Sequence, residues 1–301
     1  MRAPAPGCLW YRVPTATIRR VSVDHYENFP VASWLCPPAL RPAIVAIYRF
    51  ARLADDIADE GNVPAAQRLA RLQDLRTRLA ACHAAQDPPH EDPDGIFRPL
   101  QAAIHRHRLP LEPMDDLLDA FMQDVRKTRD GQGYADRAEL LDYCRRSANP
   151  VGRLLLHLYG LDDATSLARS DAICTALQLI NFWQDAGVDL ARGRCYLPVA
   201  DCLAHGLSPG QLQTGQDSAQ SAALLRVLTD WACGLMMEGA PLVFDVPGRA
   251  GWELRLVVQG GLRIARRIEA LGWRTLSKRP VLRSADLAIM AWDAIRMRRT
   301  S

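Results

Sequence analysis

The stretch 48-YRFARLADDIADEG-61 continues an apolar helical pattern through Phe50 and Ala54, yet it sets Asp55, Asp56 and Asp59 within little more than one turn. Residues four apart share a helix face, so Asp55 and Asp59 point the same way, with Arg52 on that side three positions before Asp55. Like charges at this spacing cost about 0.2–0.5 kcal/mol on a surface and far more once desolvated. Either the segment is a solvated helix end running out through Glu60-Gly61, or something cationic offsets it.

A second stretch, 178-QLINFWQDAGVDLARGRCYLP-198, repeats the pattern more than a hundred residues later. Asn181, Asp185 and Asp189 fall at intervals of four, and Ile180, Phe182, Trp183 and Val188 surround them, which weakens the solvated-end reading. Two such stripes, each in an apolar helix, are expected to face one another across a cavity. Carboxylates and an amide oxygen are hard ligands that match Mg²⁺, which keeps coordination positions for water and substrate phosphates. No His/Cys cluster has zinc-ligand spacing. Acidic faces, Mg²⁺ and nearby arginines suit a diphosphate, whose departure the metal assists when a carbon–oxygen bond ionises. An apolar, aromatic lining would then hold a hydrocarbon and a carbocation.

Between these stripes helical periodicity recurs and strand alternation is almost missing. Helices are expected over 38–60, 65–85, 97–107, 113–127, 137–159, 163–190, 219–243 and 251–270, with a last one after Ser284; Pro150 is expected to kink the fifth. Breaks at Pro37-Pro38, Pro88-Pro89, Gly131-Gln132-Gly133 and 207–215 are too short for linkers, so the chain reads as a single all-α domain over 1–301, with 1–20 expected to be disordered. Of its 301 residues 49% are apolar and 24% charged, an ordinary globular balance that excludes disordered and collagenous classes. The net charge of +3, with Lys127 and Lys278 the only lysines, is no nucleic-acid footprint. Arg263, Arg266, Arg267, Lys278, Arg279 and Arg283 form a basic run, read as a solvated helix face or as a contact for an acidic membrane or a phosphorylated substrate. The eight scattered cysteines read as buried thiols in a reducing compartment. Without a signal peptide or a membrane-spanning run, the expected location is cytoplasmic, at most peripheral to the inner face of the membrane.

Five segments, in order, resemble the squalene and phytoene synthases, the trans-isoprenyl diphosphate synthases that join chains head to head. HYENFP (His25–Pro30) is similar to the family's His-x-x-x-Phe segment, YRFARLADDIADE to Tyr-x-Phe-x-Arg-x-x-Asp-Asp-x-x-Asp, and DVRKTR (Asp124–Arg129) to Asp-x-x-Lys-Ser/Thr-Arg. YCRRSANPVG (Tyr143–Gly152) resembles Tyr-Cys-x-x-x-Ala-Gly-x-Val-Gly, and the second stripe resembles Gln-x-x-Asn-x-x-x-Asp-x-x-x-Asp followed by Gly-Arg-x-Tyr. The resemblance implies an isoprenoid-synthase helical bundle around a central apolar cavity with two facing Asp-rich helices. It implies Mg²⁺–diphosphate binding by Asp55, Asp59, Asn181, Asp185 and Asp189, and diphosphate contact by Arg52. It also implies substrate or leaving-group contacts by Tyr48, Tyr143, Gln178, Arg194 and Tyr196, and by His25 and Phe29.

Departures from the family pattern narrow the expected reaction. Glu27 stands where condensing members carry a lysine, Gln184 where they often carry an arginine, and Asn149-Pro150 where the pattern has Gly. Two cations for diphosphates are thus missing, which implies a substrate with one diphosphate. Asn149 brings an amide that could hold a water beside a cation. These features resemble most closely the family members of bacterial hopanoid biosynthesis that ionise presqualene diphosphate and quench the rearranged cation with water, using Mg²⁺ and no NADPH. A condensing presqualene diphosphate, squalene or phytoene synthase is the first alternative. An all-α nucleotide pyrophosphohydrolase is the second; it needs a polar base pocket.

Overall fold

The computed structural model describes residues 35–59, 63–84 and 92–299. Within them the chain forms twelve α-helices and no strand. Helix α1 (Arg41–Asp59) buries Ala43, Ala46, Ile47, Phe50, Ala54 and Ala58 along one side and leaves its acids off that stripe. With α2 (Ala65–Ala84), α3 (Phe97–His107) and α4 (Glu112–Asp130) it builds a core around Phe50, Leu72, Phe97, Leu100 and Leu118.

The expected helix over 137–159 is two helices, α5 (Arg137–Ser147) and α6 (Asn149–Tyr159). Ala148 leaves helical geometry at φ −122°, and Pro150, which has no N–H to give, sits in the first turn of α6. The break lets α6 press onto the long α7 (Ala164–Ala191). At Gly152 an added Cβ would lie 2.4 Å from the Ser170 hydroxyl and 2.6 Å from the Cys174 sulfur, so any larger residue would have to displace both side chains.

Helix α7 is buried around Trp183 and packs along α10 (Ala219–Gly239), where the Trp183 indole donates to the Leu228 carbonyl at 3.1 Å. Short helices α8 (Val199–Ala204) and α9 (Pro209–Gln213) precede α10. A 3₁₀ turn (Ala240–Phe244) leads into α11 (Gly248–Ala270), and α12 (Ser284–Arg296) lies antiparallel on α11. Together these helices build a second core around Trp183, Leu225, Leu228, Met236 and Val258. None of the helices among the described residues is long and apolar enough to cross a membrane. The seven described cysteines are all free thiols, most of them buried.

The segment between α11 and α12 straps across α7. Gln184 donates its amide to the Pro280 carbonyl at 2.8 Å, the Gly187 N–H reaches the Thr275 carbonyl at 3.2 Å, and Asp217 accepts from the Leu276 and Ser277 backbone. A Cβ on Gly187 would stand 2.0 Å from the Leu276 carbonyl oxygen, a backbone atom that cannot swing aside. Gly187→Ala is therefore expected to destabilise the protein by about 1–3 kcal/mol, as overpacking does. Calorimetry should register a Tm lowered by several degrees; an unchanged Tm contradicts this seating of the strap.

Candidate active site

Two cavities meet on α1. The larger, about 880 Å³, is a polar basin lined by Arg52, Asp55, Asp56 and Asp59 of α1, Thr128 and Arg129 of α4, and Arg192 and Arg194 from the turn after α7. The other, about 260 Å³, is lined almost wholly by apolar side chains of α1, α4, α6, α7 and α11, among them Ile47, Leu117, Phe121, Leu155 and Leu254. Arg52 and Asp55 line both, so the basin opens into the apolar cavity past these two side chains.

The acids sit where helix electrostatics disfavours them. A helix carries about half a negative charge at its C-terminus, where carboxylates are destabilising. Asp55, Asp56 and Asp59 occupy that end of α1, Asp185 and Asp189 that end of α7, and neither helix has a basic residue in its last turn. Arginines from elsewhere compensate in part. Arg194 grips Asp59 with two hydrogen bonds of 2.6 and 2.7 Å, Arg279 pairs with Asp185, and Arg52 reaches Asp55 at 3.3 Å and Asp56 at 2.8 Å. Burial, then the charge of Asp185, pushes the Asp189 carboxyl up to about 7, with Asp59 adding to the same effect and Arg194 and Arg192 opposing it.

Behind the basin lies a polar knot. Asp124 of α4, buried, accepts from the hydroxyls of Tyr143, Tyr196 (3.3 Å) and Tyr134 (3.4 Å). Burial is the largest influence on its carboxyl, which stands at about 6; the Tyr143 hydrogen bond and the charge of Arg194 pull down, while Asp59 pushes up. Tyr196 in turn stacks on Phe182 with ring centres 3.8 Å apart. Lys127 ties down the neighbouring loop, donating to the Gly133 carbonyl and to Glu139, each at 2.7 Å.

The residues singled out from sequence fall into three groups. Tyr48, Arg52, Asp55, Asp59 and Arg194 line the cavities, whereas Tyr143 and Tyr196 are buried on Asp124. Gln178, Asn181, Asp185 and Asp189 lie along α7 and line neither cavity; Asp189 joins the site through its electrostatic coupling to Asp59. Asn149, also outside both linings, is buried and accepts from the Thr175 hydroxyl at 2.9 Å. His25, Phe29 and Glu27 lie outside the described residues. The expected aromatic lining is present as Tyr48, Phe121 and Tyr159, while Phe182 and Trp183 pack in the core.

Tyr134 and Glu253 were not singled out from sequence, and Asp124 was marked only as the head of the DVRKTR segment, with no role given to it. Asp124 carries a signal that could have found it, since it continues the stripe Leu117–Phe121–Asp124–Thr128, whose other members line the cavities. Tyr134, in a loop, carries none. Glu253 of α11 places a carboxylate among the residues lining the apolar cavity.

The donor set fits a hard divalent cation: every side chain in the two stripes offers oxygen, and Asp189 bears a carboxylate that its surroundings leave under-compensated. Among the described residues no three acidic, histidine or cysteine side chains converge into a ready ligand cluster. Here Arg194 and Arg279 hold Asp59 and Asp185.

An all-α bundle that joins an acid- and arginine-lined basin to a hydrocarbon-lined cavity is an isoprenoid synthase fold, and a solved squalene synthase from Alicyclobacillus acidocaldarius shares it. That structure is 36% identical with a TM-score of 0.74, covering 83% of this chain and 90% of its own. The chain belongs to the squalene/phytoene synthase family, whose model matches residues 23–286. A hydroxysqualene synthase of Rhodopseudomonas palustris is 34% identical over 89% of this chain and 88% of its own length. A presqualene diphosphate synthase of the same organism is 34% identical over 57% of this chain and 58% of its own.

The buried Asp124 has a measurable consequence. Its carboxyl binds a proton more tightly when folded than at its ordinary value of 3.8, so the folded state holds the extra proton between about pH 4 and 6. The stability this residue contributes is full below about pH 4 and is lost as pH rises through 6. Followed from pH 4 to 8, the denaturation midpoint of the wild type should fall relative to that of Asp124→Asn as pH rises from about 4 to 6, and the two should run parallel above it. Curves parallel throughout would mean an unperturbed carboxyl.

Proposed function

We propose that the protein is a hydroxysqualene synthase, converting presqualene diphosphate and water into hydroxysqualene and diphosphate. The observation that carries this reading is the junction at Arg52 and Asp55, where a basin of acids and arginines opens into an apolar cavity. That form suits an amphiphile with a long hydrocarbon and one diphosphate, and a nucleotide base would find little to hydrogen-bond in the apolar cavity. The likeness to a hydroxysqualene synthase over most of both chains supports the same choice.

In this reading Arg52, Arg192 and Arg194 hold the diphosphate in the basin, and Tyr48, Leu117 and Phe121 seat the hydrocarbon beyond it. Mg²⁺ held by Asp55, Asp59, Asn181, Asp185 and Asp189 would neutralise the diphosphate and favour its departure. Asp59 and Asp185, paired here with Arg194 and Arg279, would hold the metal, and the two arginines would then serve phosphate oxygens. Asp124 fixes the hydroxyls of Tyr143 and Tyr196 beside Arg194, so the wall behind the leaving group is rigid. Gln178 is placed on the same face of α7 as Asn181 and contacts substrate. Asn149, oriented by Thr175, is assigned to positioning the quenching water, and Asn149→Ala with an unchanged alcohol yield would remove it from that role.

The balance needs no reductant: the carbon–oxygen bond to diphosphate breaks, water adds to the cation, and one proton leaves. The second reading is a condensing or reductive enzyme, favoured by the likenesses to a presqualene diphosphate synthase and a squalene synthase. Two features weigh against it: Glu27 introduces an acid where a condensing enzyme needs a cation, and Gln184 is committed to the strap at Pro280.

Purified protein given presqualene diphosphate and Mg²⁺ without NADPH should release an alcohol and diphosphate, resolved by mass spectrometry. Consumption of farnesyl diphosphate alone, with presqualene diphosphate accumulating, establishes the second reading instead. Asp55→Ala should lower turnover about 10²-fold or more, the scale of losing a charge-stabilising group, while circular dichroism stays unchanged. Retained turnover places the chemistry elsewhere.

A further inference from the structure

Helix α12 is built inside out. Its inward side carries a charge: Asp286, with no exposure to solvent, takes a fork of hydrogen bonds from Arg267 and a single one from Arg263, both on α11. Those arginines hold its carboxyl well below the usual range. Met290 and Ala294 complete the inner side, and Asp293 pairs with Arg266. The outward side is apolar. Leu287 is 52% exposed, Trp292 60% and Ile295 61%, and with Ala288 and Ala291 they fall within about 140° of helical arc.

Cations surround this face. Between Arg274 and Arg299 the sequence has seven basic residues and two acids, and both acids are the ones turned inward onto arginines. Lys278 and Arg283 stand exposed before the helix, Arg296 and Arg298 at its end. Trp252 of α11, 44% exposed, stacks on Arg255, which donates to the Ala294 carbonyl and so belongs to the same surface.

We propose that the outer face of α12, with Trp252, docks on an anionic lipid bilayer. A helix lying in the plane of a membrane needs an apolar face carrying Trp and large aliphatics, and flanking Lys/Arg for acidic headgroups; α12 has both. Charge decides the occupant. A second copy pairing this face two-fold would run the helices antiparallel and set Arg296 and Arg298 of each copy near Lys278 and Arg283 of the other, cation against cation. A nucleic acid would use the cations but leave Leu287, Trp292 and Ile295 without purpose. Docking would also bring the bilayer alongside α11, whose Leu254 and Val257 line the apolar cavity on the other side. The proposal rests on α12 and does not depend on which prenyl diphosphate the site accepts.

The full chain is tested by co-sedimentation with phosphatidylcholine vesicles, with and without roughly a third phosphatidylglycerol. The expected result is binding to the anionic vesicles, weakened by salt, with tryptophan emission quenched by brominated lipid. The variant Leu287→Ser/Trp292→Ser/Ile295→Ser should lose roughly tenfold or more in binding, together with part of the quenching. Arg296→Glu/Arg298→Glu, which leaves the apolar face intact, should weaken binding while keeping turnover on dispersed substrate. Equal binding to neutral vesicles, or binding unaffected by either variant, overturns the proposal. So does a wild-type dimer that the serine variant dissociates, binding that appears only after removal of residues 1–34, or a preference for nucleic acid over vesicles.

Discussion

The two hydrogen bonds between Arg194 and Asp59 join the ends of two helices that would otherwise repel. Asp59 closes α1 and Asp189 lies in the last turn of α7, and each helix adds its own negative end to its carboxylates. Arg194, in the turn that immediately follows α7, crosses to α1 and neutralises one acid at the point where the basin forms. Arg279 does the same for Asp185 from the strap. The compensation is incomplete, as the Asp189 carboxyl at about 7 records. In the proposed reading a divalent cation would complete that compensation, leaving the guanidinium groups for an anion.

The scaffold behind the acids is rigid for a related reason. Asp124 is a buried carboxylate, and a buried charge requires partners; three tyrosine hydroxyls supply them. Those tyrosines come from α5, from the loop before it and from the segment after α7, so one carboxylate fixes four pieces of chain. The glycines act in the opposite sense, by removing side chains. Gly152 lets α6 close on α7 and Gly187 lets the strap close on α7, so the helix bearing the second acidic stripe is held on two sides.

Much of this was legible in the sequence where the cause is local. Periodicity located the helices, and an acid stripe at intervals of four inside an apolar run stood out in both stretches. Non-local causes were not legible. Asp124 stood at the head of the DVRKTR segment without a role, because only the fold shows that Tyr134, Tyr143 and Tyr196 converge on it. Arg279 read as part of a solvated basic run, whereas the strap carries it to Asp185. An aromatic lining was expected without named residues; Tyr48, Phe121 and Tyr159 supply it, while Phe182 and Trp183 beside the second stripe pack in the core. The fifth helix was marked for a kink at Pro150, and the structure breaks it one residue before α6 begins.

The central claim is that the acidic ends of α1 and α7 share one metal–diphosphate site opening into the apolar cavity. A crystal structure with Mg²⁺ and a non-ionising thiolodiphosphate analogue of presqualene diphosphate tests it most directly. The account predicts metal density between Asp55/Asp59 and Asn181/Asp185/Asp189, with Arg194 and Arg279 turned from their carboxylates to phosphate oxygens and the hydrocarbon running past Tyr48 and Phe121. Diphosphate bound away from these acids, or Arg194 still paired with Asp59 in the complex, would contradict it.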